Sequence, residues 1–170
     1  MNNEEQNKQT GCGRDFLTYI CYKSDKNAGK FRLAESGQEF SVWVDGKISF
    51  EDDREPPPNK VSYSGDDFTD RELKQALRTG KRVREARLRV EKGENTWTFT
   101  LRADRFEVSG LKLDMPGTDD LEERFFGRML SLEGLNTLLD GLFEDFIARA
   151  CGKSWQTQGY MEFQSWLRGK

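Results

Sequence analysis

The sequence predicts an α+β fold: an antiparallel sheet of about five to six strands with helices packed against it. Two observations carry this. Strand-like alternation occurs twice within Lys81–Arg102, and helical spacing of apolar residues recurs before and after it, most extensively over 119–150. Residues 1–12 read as a disordered tail, polar and without periodicity, and 13–170 as a single domain.

The stretch Lys81–Arg102 organises the rest. Ala86, Leu88 and Val90 alternate with Arg87, Arg89 and Glu91; Trp97, Phe99 and Leu101 alternate with Thr98, Thr100 and Arg102. Gly93-Glu94 suits a two-residue hairpin turn. That turn sets the register, with Val90 opposite Trp97, Leu88 opposite Phe99, Ala86 opposite Leu101 and Glu85 opposite Arg102. A slip of one residue would turn the apolar set into water, so the pairing is well specified.

The other elements follow in chain order. Phe16, Tyr19 and Ile20 give an amphipathic helix from Gly13 to about Asn27, widened by Leu17 and Cys21. In EFSVWVDGKISFE, Asp45-Gly46 is a hairpin signal. A turn of odd length there places Phe40, Val42, Ile48 and Phe50 on one face. Trp43 then falls on the other face, which is expected to be covered too. EDDREPPPNK (51–60) reads as an acidic, proline-rich loop and Val61–Ser64 as a short strand. Asp66 or Asp67 caps a helix that runs to Gly80. Phe106 and Val108 resume the strand period, Ser109-Gly110 marks a bulge, and Leu111 and Leu113 continue beyond it.

The segment 119–150 carries a broad apolar stripe that includes Phe125, Met129, Leu132, Leu139, Leu142 and Phe146. Leu132, Leu139 and Phe146 are expected to be buried. Gly127, Gly134 and Gly141 recur every seven residues, and each costs about 1 kcal/mol inside a helix. Either the helix breaks near Ser131–Gly134, or the flat glycine face takes a close neighbour. Tyr160, Phe163, Trp166 and Leu167 form a last short helix.

Composition narrows the function classes. The chain has 170 residues, 34% of them charged, with 12 Phe and 4 Trp. No signal peptide is visible, and no apolar run approaches the roughly 20 residues that span a bilayer. Cys12, Cys21 and Cys151 are odd in number and lack CxxC spacing, which suits reduced thiols in a cytoplasmic protein. Histidine is absent, so Ser-His-Asp and Cys-His catalysis and most zinc chemistry are excluded. Asp45-Gly46-Lys47 has the acid-x-Lys spacing of one magnesium nuclease class, but no motif sets a second carboxylate beside it. The expectation is a non-catalytic protein without a cofactor.

The net charge of −3 conceals segregation: residues 71–105 carry +6, while 35–67 and 119–145 each carry −6. Lys81, Arg87, Arg89 and Arg102 lie on or beside the outer hairpin face, with Arg82 and Arg84 at its open end. These six are the candidate phosphate contacts. A charged, solvated sheet face explains the same pattern.

The blocks GRDFLTYICYKSDKNAGKFRL, FSVWVDGKISFE, VSYSGDD, GKRVREARLRVEKGENTWTFTL and LEERFFGRMLSLEGLNTLLDGLFEDFI occur in that order across roughly residues 13–168. Together they resemble the C-terminal half of recombination-associated RdgC-like proteins, as found in delta-type proteobacteria. The resemblance implies a non-enzymatic accessory of DNA recombination or replication, which binds double-stranded DNA without sequence preference as a ring-shaped dimer and restrains recombinase filaments. The chain departs from that pattern in lacking the preceding half and in its acidic balance, and no DNA-contact position carries over. The expected partners are duplex DNA, a recombination protein, a separately encoded missing half or a second copy, with no membrane and a nucleoid location if DNA is bound. The alternative is a protein-interaction or self-association module without DNA contact.

Overall fold

The computed structural model describes residues 3–52, 59–65, 70–114, 119–150 and 152–169. Its elements are α1 (Asn3–Lys26), β1 (Lys30–Arg32), β2 (Glu39–Asp52), β3 (Asn59–Ser64), α2 (Asp70–Arg78), β4 (Arg82–Lys92), β5 (Asn95–Arg102), β6 (Glu107–Asp114), α3 (Leu121–Ala150) and α4 (Tyr160–Leu167). One π-helical turn, Trp155–Gly159, leads into α4. The strands form an antiparallel six-stranded sheet in the order β1-β2-β4-β5-β6, with β3 on the same edge of β2 as β1. This is the α+β architecture the sequence predicts.

The hairpin β4–β5 pairs as the alternation requires: Glu85 with Arg102, Ala86 with Leu101, Leu88 with Phe99 and Val90 with Trp97. Gly93 takes φ +58°, which a two-residue turn needs at its first position. Opposite Thr98–Thr100 of β5 the register shifts by one residue of β6, and Gly110, at φ +61°, supplies the bulge.

Asp45-Gly46 is not a hairpin turn. β2 runs straight through it as one 14-residue strand. Val44 pairs with Leu88 and Ile48 with Ala86, so two extra residues of β2 bulge out opposite β4. Two is an even number, so Phe40, Val42, Ile48 and Phe50 still share the buried face. The eleven residues of β4 bury both halves of β2 at once, which a tight hairpin at Asp45 would forgo. The acidic loop is accordingly shorter than expected: Asp52 and Asn59 already pair, and 53–58 lie outside the described residues.

The core lies between one face of the sheet and the helices. α1 packs on β4 and β2 with Leu17, Ile20 and Cys21 buried, and on α3 through Phe16, whose ring meets those of Phe143 and Phe146 at 5.2 and 5.5 Å. Its backbone is helical from Asn3, so the tail expected over 1–12 belongs to this helix from there on. Glu, Gln and Lys in that stretch are good helix formers, and they extend a helix nucleated by the core below. α2 closes in a Schellman motif: Gly80 N–H donates to Leu77 O and Lys81 N–H to Ala76 O. Its N-terminal cap, expected at Asp66 or Asp67, lies outside the described residues. α4 docks by Trp166, whose indole N–H donates to Asp25, and by the Lys26–Glu162 ion pair.

The long helix α3 is continuous. The glycine face does take close neighbours, and they belong to the core: a Cβ on Gly134 would lie 3.7 Å from Trp97, and one on Gly141 2.5 Å from Leu33. Ser131, Leu135, Leu138, Leu142 and Phe146 are buried beside them. The buried side is therefore rotated toward the glycines, Leu132 is exposed, and Leu139 is only half-buried. Trp43 also departs from expectation. It lies over Gly29 on the outer face of the sheet, 37% exposed, and that face is open. An antiparallel sheet tolerates one solvated face.

Gly13 shows how closely α1 approaches the sheet. A Cβ there would sit 1.9 Å from the carbonyl oxygen of Ala103, a backbone atom that has no rotamer to escape into. Gly13→Ala gains at most about 1 kcal/mol of helix propensity and meets an overpacking cost of about 1–3 kcal/mol or more. The expected result is net destabilisation in urea unfolding. A stabilised variant would show that α1 does not touch the end of β5.

Candidate interaction surfaces

The structure brings three of the six candidate cations onto the outer face of the sheet and leaves the other three at the end of β4. Arg87, Arg89 and Arg102 stand on the β4–β5 face, Arg82 and Arg84 at its open end, and Lys81 at the end of α2. Arg84 sits where the β2–β4 register shifts. Lys47 of β2 and Lys60 of β3 add to the set. The face is interleaved with carboxylates. Arg87 pairs with Asp45 at 3.1 Å, Arg82 with Asp15 at 3.5 Å, and Arg102 with Glu85 at 3.2 Å and Glu107 at 3.6 Å. Arg89 meets Glu91 through a short contact. Arg84 and Lys60 approach Glu51 at 3.6 and 3.5 Å, and Glu51 is held at 2.8 Å by the buried Arg14 of α1. The result is a mixed ionic lattice in place of an open basic patch.

Glu85 reports on that lattice. The ammonium of Lys47, 2.8 Å away, and then Arg102 hold its carboxyl below the usual glutamate range. A carboxyl lowered in the folded state stabilises above its unfolded value, and that contribution is lost as pH falls through the lowered one. Acid unfolding of the wild type should therefore steepen below the ordinary glutamate value of 4.5. Glu85→Gln should be less stable at neutral pH and show a flatter acid limb. Identical acid limbs would remove Glu85 from the lattice.

Asp45 is occupied by Arg87, and among the described residues no group of three His, Cys, Asp or Glu is placed to hold a metal. Burial pushes the Cys21 thiol up to about 12, so it is not a ready nucleophile. No helix among the described residues is long and apolar enough to cross a membrane.

The second surface is the N-terminal half of α3. Leu121 (72% exposed), Phe125 and Phe126 (60% each) and Met129 (52%) stand in solvent with Leu130 and Leu132. The stripe continues into a groove of about 600 Å³ between α3 and the β5–β6 turn, lined by Leu139, Phe143, Phe106 and Val108. Phe106 helps to shape it from a left-handed backbone, φ +50°, with its ring against Phe143 at 5.2 Å. Solvent-exposed apolar area that is contiguous on this scale marks a contact surface. No family model matches the chain, and no curated protein matches it.

The sequence located the six cations and the Glu85–Arg102 pair, but not the carboxylates of Asp15, Asp45, Glu51 and Glu107, which arrive from α1, β2 and β6 through tertiary pairing. It also read the first half of the α3 stripe as core. Hydropathy gives the stripe in both halves of the helix. Only the position of Trp97 and Leu33 shows that the sheet ends near Ser131.

Proposed function

We propose that this chain is a non-catalytic association module that acts through the exposed apolar side of α3. One observation carries the reading: large apolar side chains stand exposed on the N-terminal half of α3, while the outer-sheet cations are met by carboxylates. The sequence resemblance supports a setting in DNA recombination or replication, within the cytoplasm, as an accessory that works by contact.

A photo-crosslinking residue at Met129, compared with one at Thr98 on the outer sheet face, tests this in the host cell. Adducts should form from position 129 and not from 98. Adducts from 98 alone would reverse the assignment of surfaces.

A second reading has its own observation. Seven cations, Lys47, Lys60, Arg82, Arg84, Arg87, Arg89 and Arg102, share one rigid sheet. Duplex DNA phosphates would compete for them with the carboxylates. Binding of that kind weakens with a log–log salt slope near −0.9 per contact. Arg87→Gln with Arg89→Gln should then lower the slope by about two. A flat salt response, equal in the wild type and the double variant, would dismiss the sheet as a DNA surface.

A further inference from the structure

We propose that the exposed side of α3 is half of a parallel two-stranded coiled coil, completed by a second copy of this chain; this rests on the reading of α3 as the contact surface. Phe125, Met129, Leu132, Asn136, Leu139 and Phe143 follow one another at intervals of four, three, four, three and four residues. That is the rhythm of d and a positions in a heptad seam, which supercoils two helices around each other. The first half of this seam, Phe125, Met129 and Leu132, lies outside the fold's own core, while Leu139 and Phe143 are half-buried against it, Phe143 with its ring 5.2 Å from that of Phe16. The inward residues Ser131, Leu135, Leu138 and Leu142 point about a quarter-turn away around the helix axis.

Asn136 favours a second copy over an unrelated helix. It is exposed and occupies an a position in the middle of the seam. An apolar partner would bury its amide without a hydrogen bond. A second α3 in parallel register brings Asn136 of its own to the same layer, and such a pair specifies two strands and one register. Charge complementarity points the same way. In a parallel pair a g residue faces the e residue five positions on in its partner. Arg128 and Glu133 occupy those positions and are both exposed. The preceding g and e residues, Leu121 and Phe126, are both apolar and extend the seam. Two-fold symmetry repeats each contact.

The area is sufficient. At about 200 Å² for a fully exposed large side chain, Leu121, Phe125, Phe126, Met129 and Leu132 offer on the order of 600 Å² per protomer. The pair would bury about 1,200 Å², the lower edge of stable interfaces, so the dimer should dissociate on dilution.

Sedimentation equilibrium of the full chain tests the proposal. The expected mass is twice 19.7 kDa at high concentration, falling on dilution. Met129→Glu with Leu132→Glu, both at exposed positions, should leave a folded monomer. Arg128→Glu should weaken the dimer roughly three- to tenfold, and adding Glu133→Arg should restore it. In a background with the three native cysteines replaced, Phe125→Cys should link to itself under mild oxidation. A dimer that ignores Met129→Glu with Leu132→Glu would overturn the proposal and the contact-surface reading together. A monomer at every concentration would overturn the second copy; the contact-surface reading would survive it only if Met129 still crosslinks to a different protein in the cell. A dimer in which Phe125→Cys does not self-link and the charge swap does not rescue would overturn the parallel geometry.

Discussion

Trp97→Ala is expected to destabilise the protein by about 3–5 kcal/mol in equilibrium denaturation. The indole is 2% exposed, and its N–H donates to Ser131 Oγ at 2.8 Å and to Ser131 O at 3.1 Å. It is therefore both a large core side chain and a tie between β5 and α3. Truncation removes the packing and leaves a buried serine without its donor. Trp97→Phe keeps most of the volume and loses only the hydrogen bond, so its expected cost is smaller, about 1–3 kcal/mol. A loss under about 0.5 kcal/mol for Trp97→Ala would show that α3 is not held on the sheet at this point.

Glu51→Ala is expected to cost about 3–5 kcal/mol, for a different reason. Glu51 and Arg14 form a 2.8 Å ion pair with side chains only 7% and 9% exposed. Arg84 and Lys60 stand near the same carboxylate. Removing it leaves a buried guanidinium facing two other cations in a medium that screens poorly. Replacing both partners with apolar residues of similar size, Arg14→Met with Glu51→Leu, should recover most of the loss. Equal losses in the single and double variants would mean that packing, not charge, is at stake.

The sequence was most legible where contacts are local. The β4–β5 register could be read because a two-residue turn and a period of two leave one pairing that buries Leu88 with Phe99. The Gly110 bulge and the Gly80 stop were legible because each needs a backbone conformation that glycine supplies. Asp45-Gly46 misled because a turn dipeptide fits a bulge equally well, and the choice depended on β4, more than thirty residues away. The α3 stripe misled in a related way. An apolar face shows that a helix wants a partner, but not whether that partner is its own sheet. Leu142 finds the sheet and Phe125 does not, although both belong to one pattern. The ionic lattice was illegible because Arg14, Glu51 and Arg84 meet only after three elements have packed.

Hydroxyl-radical footprinting of two methionines tests the central claim most directly. Met129 is 52% exposed in the protomer and Met161 71%, so a free protomer should oxidise at both at comparable rates. If the exposed side of α3 is covered by a second copy, Met129 should be strongly protected in concentrated protein and become reactive on dilution, while Met161 reacts fast throughout. Rates at Met129 and Met161 that stay comparable at every concentration would contradict the account.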